Sequence, residues 1–406
     1  MSRKADMDKI LFFSEFYAPA KNSTAFFVAR IIAATAEKYP GIVRVICATQ
    51  LNGKEVTPQP DNLQILRLNP VFENKDRLSS RIMRLLTITV KFAWHAFWSI
   101  RRKDTVFAVT NPAFMIFFLA MLRCVRRFRF ILLAYDIFPE NVLAAGLCHS
   151  NSAKYKVSKR LFDWAYSKAD TVIAIGRDMR EILIKKGVSP EHIQVVTNWS
   201  PDQEIAPSPK NDNQYIQKFH LQEKIVFLFA GNIGRVQGIP NLLNAIELTS
   251  SNHSAFIFIG DGAMKGELAE FKAAHPEKHL YIVGNQPIDK ANDFLSAGDV
   301  ALIPLADGMF GLGVPSKSYF YMAAGMPLLF IGDPDSEIAL TIGEENNGWQ
   351  VDADSPEKLA ALLDQIANMG KDKLTEYAGR SRNAAEKRFA EKLILQQFNQ
   401  IIIEQN

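Results

Sequence analysis

Residues 10–48 read ILFFSEFYAPAKNSTAFFVARIIAATAEKYPGIVRVICA, and their order decides the fold. Ile10–Phe13 is a short apolar run of strand length. Ser14–Thr24 follows as a loop holding Pro, Asn and Ser. Ala25–Lys38 carries Phe27, Val28, Ile31, Ile32 and Ala34 near the spacing of one helix face. Ile42–Ala48 is the next strand. Strand, loop, helix and strand in that order make a βαβ unit, and a parallel sheet follows from it.

The alternation continues outward. Thr105–Thr110, Arg129–Tyr135, Asp170–Ile175 and Ile193–Thr197 read as strands, with helices that include Asp163–Lys168 and Arg177–Lys186. Gly187 stops the latter helix, as a glycine just past a helix end does. Pro201–Asn213, PDQEIAPSPKNDN, is polar, holds three prolines and lacks periodicity, so it reads as a linker. After it come strands Ile225–Ala230, Ala255–Ile259, Leu280–Val283, Val300–Ile303 and Pro327–Phe330. The helices there are Asn241–Glu247, Met264–Ala274 and Pro356–Met369, then a nearly continuous helical tail over Asp372–Asn406. The expected division is an N-terminal domain over 1–200, a linker at 201–213 and a second domain over 214–385. A terminal helix at 386–406 then returns to the first domain. The fold class is α/β, with two Rossmann-like domains facing across a central cleft. Ligands of such sheets bind beyond the carboxyl ends of the strands, which puts the expected site in that cleft.

Bulk properties agree with two or three domains, since the chain has 406 residues and a domain takes about 150. Hydrophobic residues at 48% and charged residues at 22% exclude a largely disordered, collagen-like or disulfide-built chain. Cys47, Cys124 and Cys148 are too few and too scattered for a structural zinc site, and they fit a reducing cytoplasm. The first nine residues contain two acids and run straight into a strand, so no signal peptide is expected there. The net charge of +4 conceals an asymmetry. Residues 1–200 hold 30 Lys and Arg against 16 Asp and Glu, which is +14; residues 201–406 hold 17 against 27, which is −10. The basic half should meet an anionic surface or ligand.

Five stretches could carry chemistry. Pro19–Thr24 presents backbone N–H groups with Ser23 and Thr24 at a helix start, which suits an anion, although either hydroxyl could simply cap the helix. Gly231–Gly238, with Asn232, Arg235 and Gln237, follows the first strand of the second half, where a diphosphate would meet backbone N–H groups and a guanidinium. Phe258–Gly262 ends a strand in a tight turn bearing Asp261. Gly311–Lys317 places Ser316 and Lys317 at another helix start. Asp136-Ile-Phe-Pro-Glu140 puts two carboxylates at a strand end of the basic half, either of which could take a proton from a sugar hydroxyl. Asp136 is the stronger choice, because an acid at Glu140 is also explained by a helix start.

Ala113–Leu122 is an unbroken apolar run of ten, too short to span a bilayer and best explained as a βαβ helix. Trp94 and Trp98 beside Arg101, Arg102 and Lys103, with Arg123 and Arg126 further on, suit a monotopic contact with anionic lipid. No nucleic-acid motif is present, and Asp333-Pro334-Asp335 reads as a turn rather than as metal ligands.

From about Ile10 to Phe389 the chain resembles a retaining glycosyltransferase of GT-B fold and family 4, in the bacterial surface-polysaccharide group that includes L-fucosamine transferases. The strings that carry the resemblance are Tyr135–Glu140, Ala169–Ile175, Asn198-Trp199, Gly231–Gly238, Ile257–Gly262, Val314–Lys317 and Tyr321–Pro327. The resemblance implies a UDP-sugar held mainly by the C-terminal domain, its diphosphate neutralised by helix starts, Arg235 and Lys317. It also implies a base pocket near Asn285 and donor contact at Glu337. It implies neither cofactor nor metal, the nucleotide sugar being a co-substrate. It implies an acceptor on the N-terminal domain. The expected reaction moves a sugar, of the N-acetylated amino class, to a polyprenyl-diphosphate-linked saccharide for O-antigen or capsule. The expected place is the cytoplasmic side, peripheral on the inner face of the membrane. Three departures stand out: Leu312 and Phe320 occupy the positions of two family glutamates, Gln237 that of a basic residue, and Asn22–Thr24 that of a Gly-Gly pair. A GT-B UDP-sugar epimerase and a degenerate nucleotide-binding homologue are the alternatives.

Overall fold

The computed structural model describes residues 9–20, 22–49, 63–69 and 78–403. The N-terminal stretch 1–8, read above as no signal peptide, and residues 404–406 lie outside them. The chain forms two compact units. The first holds residues up to 143, residues 148–197 and the chain from Leu395 onward; the second holds 144–147 and Asn198–Ile394.

The first unit runs β1 Ile10–Ser14, α1 Ser23–Lys38, β2 Val43–Cys47, β3 Gln64–Arg67, α2 Leu78–Ser99, β4 Thr105–Val109 and α3 Met115–Arg126. It continues with β5 Arg129–Ala134, α4 Glu140–Ala144, α5 Ala153–Tyr166, β6 Thr171–Ala174, α6 Arg177–Lys185 and β7 Ile193–Val195. Its strands form one parallel sheet in the order β3-β2-β1-β4-β5-β6-β7, with Ile10 opposite both Val43 and Thr105. Leu11, Phe12 and Phe13 are buried in succession, as a strand covered on both faces requires. Chain order reverses between β1 and β4. Right-handed crossovers therefore place α1 on one face and α2, α3 and α5 on the other.

The second unit runs α7 Gln214–Phe219, β8 Ile225–Ala230, α8 Ile239–Leu248, β9 Ser254–Ile259, α9 Lys265–Ala274, β10 Leu280–Val283, α10 Ala291–Leu295 and β11 Val300–Pro304. Then come α11 Lys317–Ala323, β12 Leu328–Ile331, α12 Glu337–Glu345, β13 Gly348–Val351, α13 Pro356–Ala367, α14 Lys371–Lys387 and the start of α15 Glu391–Ile403, whose residues from Leu395 onward belong to the first unit. Its parallel sheet is ordered β10-β9-β8-β11-β12-β13, and the reversal falls between β8 and β11. Phe227, Phe229, Phe256, Phe258 and Leu302 lie in its core with Leu242 and Leu363.

The structure departs from the sequence reading in four places. β3 and β13 are edge strands that pattern reading passes over: each is four residues long, and one contains a glycine. The helix expected at Asp163–Lys168 is the end of α5, which starts ten residues earlier where Ser152 accepts the Tyr155 N–H at 3.2 Å. The linker is packed, not loose: Ile205 is buried, and Arg382 donates to the carbonyls of Asp202, Ile205 and Ala323 at 2.6–3.0 Å. The helical tail breaks at Arg388–Ala390, where the Ser200 N–H donates to the Phe389 carbonyl at 2.8 Å. The end of α15, from Leu395 onward, packs within the first unit to which it belongs, with Arg129 donating to the carbonyls of Ile401 and Ile402 and Thr35 Oγ1 3.1 Å from Asn399 Oδ1.

Candidate functional site

Each sheet has one reversal point, and the ends of the flanking strands hold most of the candidate residues. In the second unit the loop after β8 interlocks with the loop after β9. The Gly231 N–H donates to the Ile259 carbonyl at 2.9 Å, and the Ile233 N–H to the Asp261 carbonyl at 2.9 Å. A side chain at Gly260 would bring its Cβ within 1.9 Å of the Gly231 carbonyl oxygen, so the two loops touch backbone to backbone. Gly238, at φ +56°, lets the chain turn into α8 against the Leu305 carbonyl at the end of β11. Tyr321 fastens the end of β8 from beneath: its hydroxyl accepts the Ala230 N–H at 2.7 Å.

Over this frame lies Lys317, the first residue of α11. Its Nζ donates to Gln237 Oε1 at 2.7 Å and sits 3.7 Å from the centroid of the Phe229 ring. No carboxylate pairs with it among the described residues. Burial pushes its pKa well below the usual lysine value. Gln237, standing where the family resemblance leads one to expect a cation, thus aims a cation supplied by another element. Arg235 and Asn232 are exposed on the same loop. Asp261 is exposed at the next strand end, its pKa lowered by the Gly262 N–H and then by Lys265. Asn285 is exposed in the loop after β10. Ser316 precedes α11 without a side-chain capping bond. Glu337 opens α12 and is buried. Leu312 and Phe320 are buried apolar side chains, so both positions read as core.

In the first unit the reversal point joins Glu15, just past β1, to Asn111, just past β4: the Glu15 N–H donates to the Asn111 carbonyl at 2.9 Å. Asn111 Nδ2 in turn lies 3.4 Å from Asp136 Oδ2, and Asn141 Nδ2 donates to Asp136 Oδ1 at 3.0 Å. Burial raises the Asp136 pKa, and the two amides pull against it. A carboxyl moved upward and held by neutral donors is suited to exchanging a proton with a hydroxyl. Glu140, the first residue of α4, has different partners. Lys186, its side chain almost wholly buried, donates to both Glu140 oxygens at 2.8 Å and reaches Asp163 at 2.6 Å. The Glu140 carboxylate is therefore committed to a buried cation.

Sequence reading missed Glu15, Arg84, Asn111 and Asn141. Glu15 is buried and meets Arg84 Nη2 at 2.6 Å. Its signal was an acid directly after the first strand, a position absorbed there into the loop. At the helix start after that loop, the cap is Asn22, whose Oδ1 accepts the Ala25 N–H at 2.8 Å; Ser23 and Thr24 are not the cap. Trp94, Trp98, Arg101, Arg102 and Lys103 are exposed or nearly so. Arg123 and Arg126 are not free for a lipid headgroup. Arg123 grips Asp170 with Nε and Nη2 at 2.8 and 2.6 Å, and Arg126 donates to the Ile100 carbonyl at 2.7 Å and to that of Phe97. Both fasten α3 to its neighbours. Among the described residues no cluster of His, Cys, Asp and Glu could hold a metal, and no helix is long and apolar enough to cross a membrane.

Comparison with known proteins agrees with this architecture. The family model "Glycosyltransferase Family 4" matches residues 43–203, and "Glycosyl transferases group 1" matches residues 224–369. The chain is 34% identical over 396 residues to "Probable glycosyltransferase WbjE" of Pseudomonas aeruginosa, covering 97% of each. Its fold matches HepE of Anabaena, solved in complex with UDP, at TM-score 0.69 and 15% identity over 97% of this chain and 99% of that one. It also matches WaaG, described as a glycosyltransferase involved in lipopolysaccharide biosynthesis, at TM-score 0.68 and 13% identity over 98% and 100%.

Proposed function

The chain belongs to the glycosyltransferases of group 1 and family 4, with two Rossmann-like domains of the GT-B fold, and on that premise we propose that it moves a sugar from a UDP-sugar to a polyprenyl-diphosphate-linked saccharide. The observation that carries the donor half is Lys317, a half-buried lysine whose desolvated Nζ has no carboxylate partner among the described residues and is held above the interlocked loops by Gln237. A nucleoside diphosphate supplies the charge that this site lacks, and the two phosphates receive Lys317, Arg235 and loop N–H groups. The donor is a UDP-sugar, in keeping with the UDP found in HepE. The sugar is an N-acetylated amino sugar, following the resemblance to the fucosamine group.

The acceptor lies on the basic unit. Its hydroxyl meets Asp136, while Asn111 and Asn141 hold that carboxylate in one orientation. Glu140 keeps the loop in place through Lys186 and takes no proton. The product enters a surface polysaccharide, O-antigen or capsule, as the role given for WaaG suggests. The acceptor's lipid tail brings the enzyme to the inner face of the membrane as a peripheral protein.

The test is UDP release and product formation with a panel of UDP-sugars and a polyprenyl-diphosphate-linked acceptor. Asp136→Asn should abolish transfer and keep UDP binding. No UDP release from any donor sinks the reading. Buried Leu312 and Phe320 in the glutamate positions favour a second reading, a nucleotide-binding homologue without turnover. UDP binding without product under every donor would select it.

A further inference from the structure

The face of the first unit built by α2, α3 and α5 is apolar outward as well as inward. On α2, Ile88, Phe92 and Ala96 are fully buried against the sheet. Met83, Val90, Trp94 and Trp98 point the opposite way, and Trp98 is 67% exposed. At 100° per residue these four fall within one narrow arc of the helix. Trp94 and Trp98 also pack edge to face at 5.9 Å, so the stripe is preformed. On α3, Ile116, Leu119 and Ala120 face inward while Met121 and Val125 face out, with Val125 at 80% exposure. On α5, Phe162 and Ala165 are inward, and Val157, Leu161 and Trp164 form the outer stripe.

The three helices lie side by side. Arg126 of α3 donates to carbonyls at the end of α2, and Phe117 of α3 meets Phe162 of α5 at 4.5 Å. With neighbouring helices about 8–10 Å apart, the stripes make a patch roughly 20 Å or more across, well beyond scattered surface hydrophobics. Its charge has one sign. The helices carry nine Lys and Arg, of which Arg84, Arg123, Arg126 and Lys159 are engaged within the unit, and a single acid, Asp163, which is spent on Lys159 and Lys186. Lys154 and Arg160 flank the α5 stripe, and Arg101, Arg102 and Lys103 follow the end of α2.

We infer that the outward faces of α2, α3 and α5 together form one docking surface for an anionic lipid bilayer, an inference that rests on the membrane-facing reading above and extends it from α2 to three helices. Trp94, Trp98, Val125 and Leu161 enter the interface, and the exposed Lys154, Lys156, Arg160 and Arg101–Lys103 meet the headgroups. A second copy of the chain is the poorer occupant, because self-association would set cations against cations with no unpaired acid to receive them.

Co-sedimentation with vesicles of phosphatidylglycerol and phosphatidylcholine, set against phosphatidylcholine alone, tests the inference on the full chain. Wild type should pellet with the anionic vesicles. The double variant W94E/W98E, V125E and L161E should each weaken partitioning by about tenfold or more. V125K and L161K, on the same positions, should bind anionic vesicles more tightly than the Glu variants. That contrast, with melting temperatures near wild type, separates charge repulsion from misfolding. Loss on α2 alone, with V125E and L161E binding normally, overturns the three-helix surface. So does a wild-type chain that ignores vesicles, or one that dimerises through this face and is made monomeric by L161E. An enzyme that transfers sugar in detergent but never binds vesicles defeats the surface and leaves the proposed activity standing. Vesicle binding without transfer does the reverse.

Discussion

Replacing Lys317 by Met separates the two roles a half-buried lysine can have. Its Nζ donates to Gln237 at 2.7 Å and lies over Phe229, with burial as the cause that lowers its pKa and no carboxylate among the described residues to offset it. A desolvated lysine without a counter-ion is costly to keep charged, so Lys317→Met should not destabilise the second unit. Met fills the stem volume and keeps contact with the Phe229 ring. Its loss of the Gln237 bond costs about 1 kcal/mol, because Gln237 is half-buried and within reach of water. The desolvation relieved is of similar or greater size, so stability should stay level or rise by up to about 1 kcal/mol, roughly 2–4 °C in melting temperature. UDP affinity should move the other way. A charge-assisted hydrogen bond contributes about 1.5–3 kcal/mol, so the loss should be about 10- to 150-fold. Titration calorimetry with UDP and a thermal melt of the free protein measure both. A variant that binds UDP as wild type does would refute the donor role of Lys317. A variant that loses more than about 2 kcal/mol of stability would show that the lysine is a structural brace.

The same lysine sets a pH dependence. Its pKa is depressed in the free protein and rises when a diphosphate arrives, so between the two values binding takes up a proton and UDP affinity falls as pH rises; calorimetry in buffers of different ionisation enthalpy measures the uptake, and Lys317→Met should abolish it. Gly260→Ala forces a Cβ to 1.9 Å from the Gly231 carbonyl oxygen, so the loops must separate, with an expected loss of about 2 kcal/mol or more and of UDP binding. Lys186→Met removes the buried cation and leaves Glu140 and Asp163 to the partly exposed Lys159 alone, which should cost about 3 kcal/mol in urea unfolding. Adding Glu140→Gln should recover part of that loss; if it recovers none, the pair is not the source.

How much was legible follows from where each signal resides. The parallel sheets were readable because Ile10–Phe13, Ile225–Ala230 and their partners are buried on both faces and so are apolar without interruption. The edge strands Gln64–Arg67 and Gly348–Val351 were not, since an edge has one neighbour and can carry polar residues and glycine. The interlocked glycines announced a turn, but that Gly260 touches Gly231 depends on two loops 29 residues apart meeting at adjacent strand ends.

Charge roles show the division most clearly. The chain alone determined that the first half is basic, that Asp136 closes a strand and that Lys317 opens a helix. Only the tertiary structure decided which charges are free. It gave Arg123 to Asp170, Arg126 to the end of α2, Glu140 to Lys186 and Glu15 to Arg84, and it left Lys317 without an acid among the described residues. It also turned one side of α2, α3 and α5 away from the sheet, where a helical apolar pattern by itself marks a buried face. The reason is physical. Hydrophobic periodicity is local and survives in the sequence, whereas a charge's partner and a helix's second face are set by neighbours that only the folded chain brings within reach.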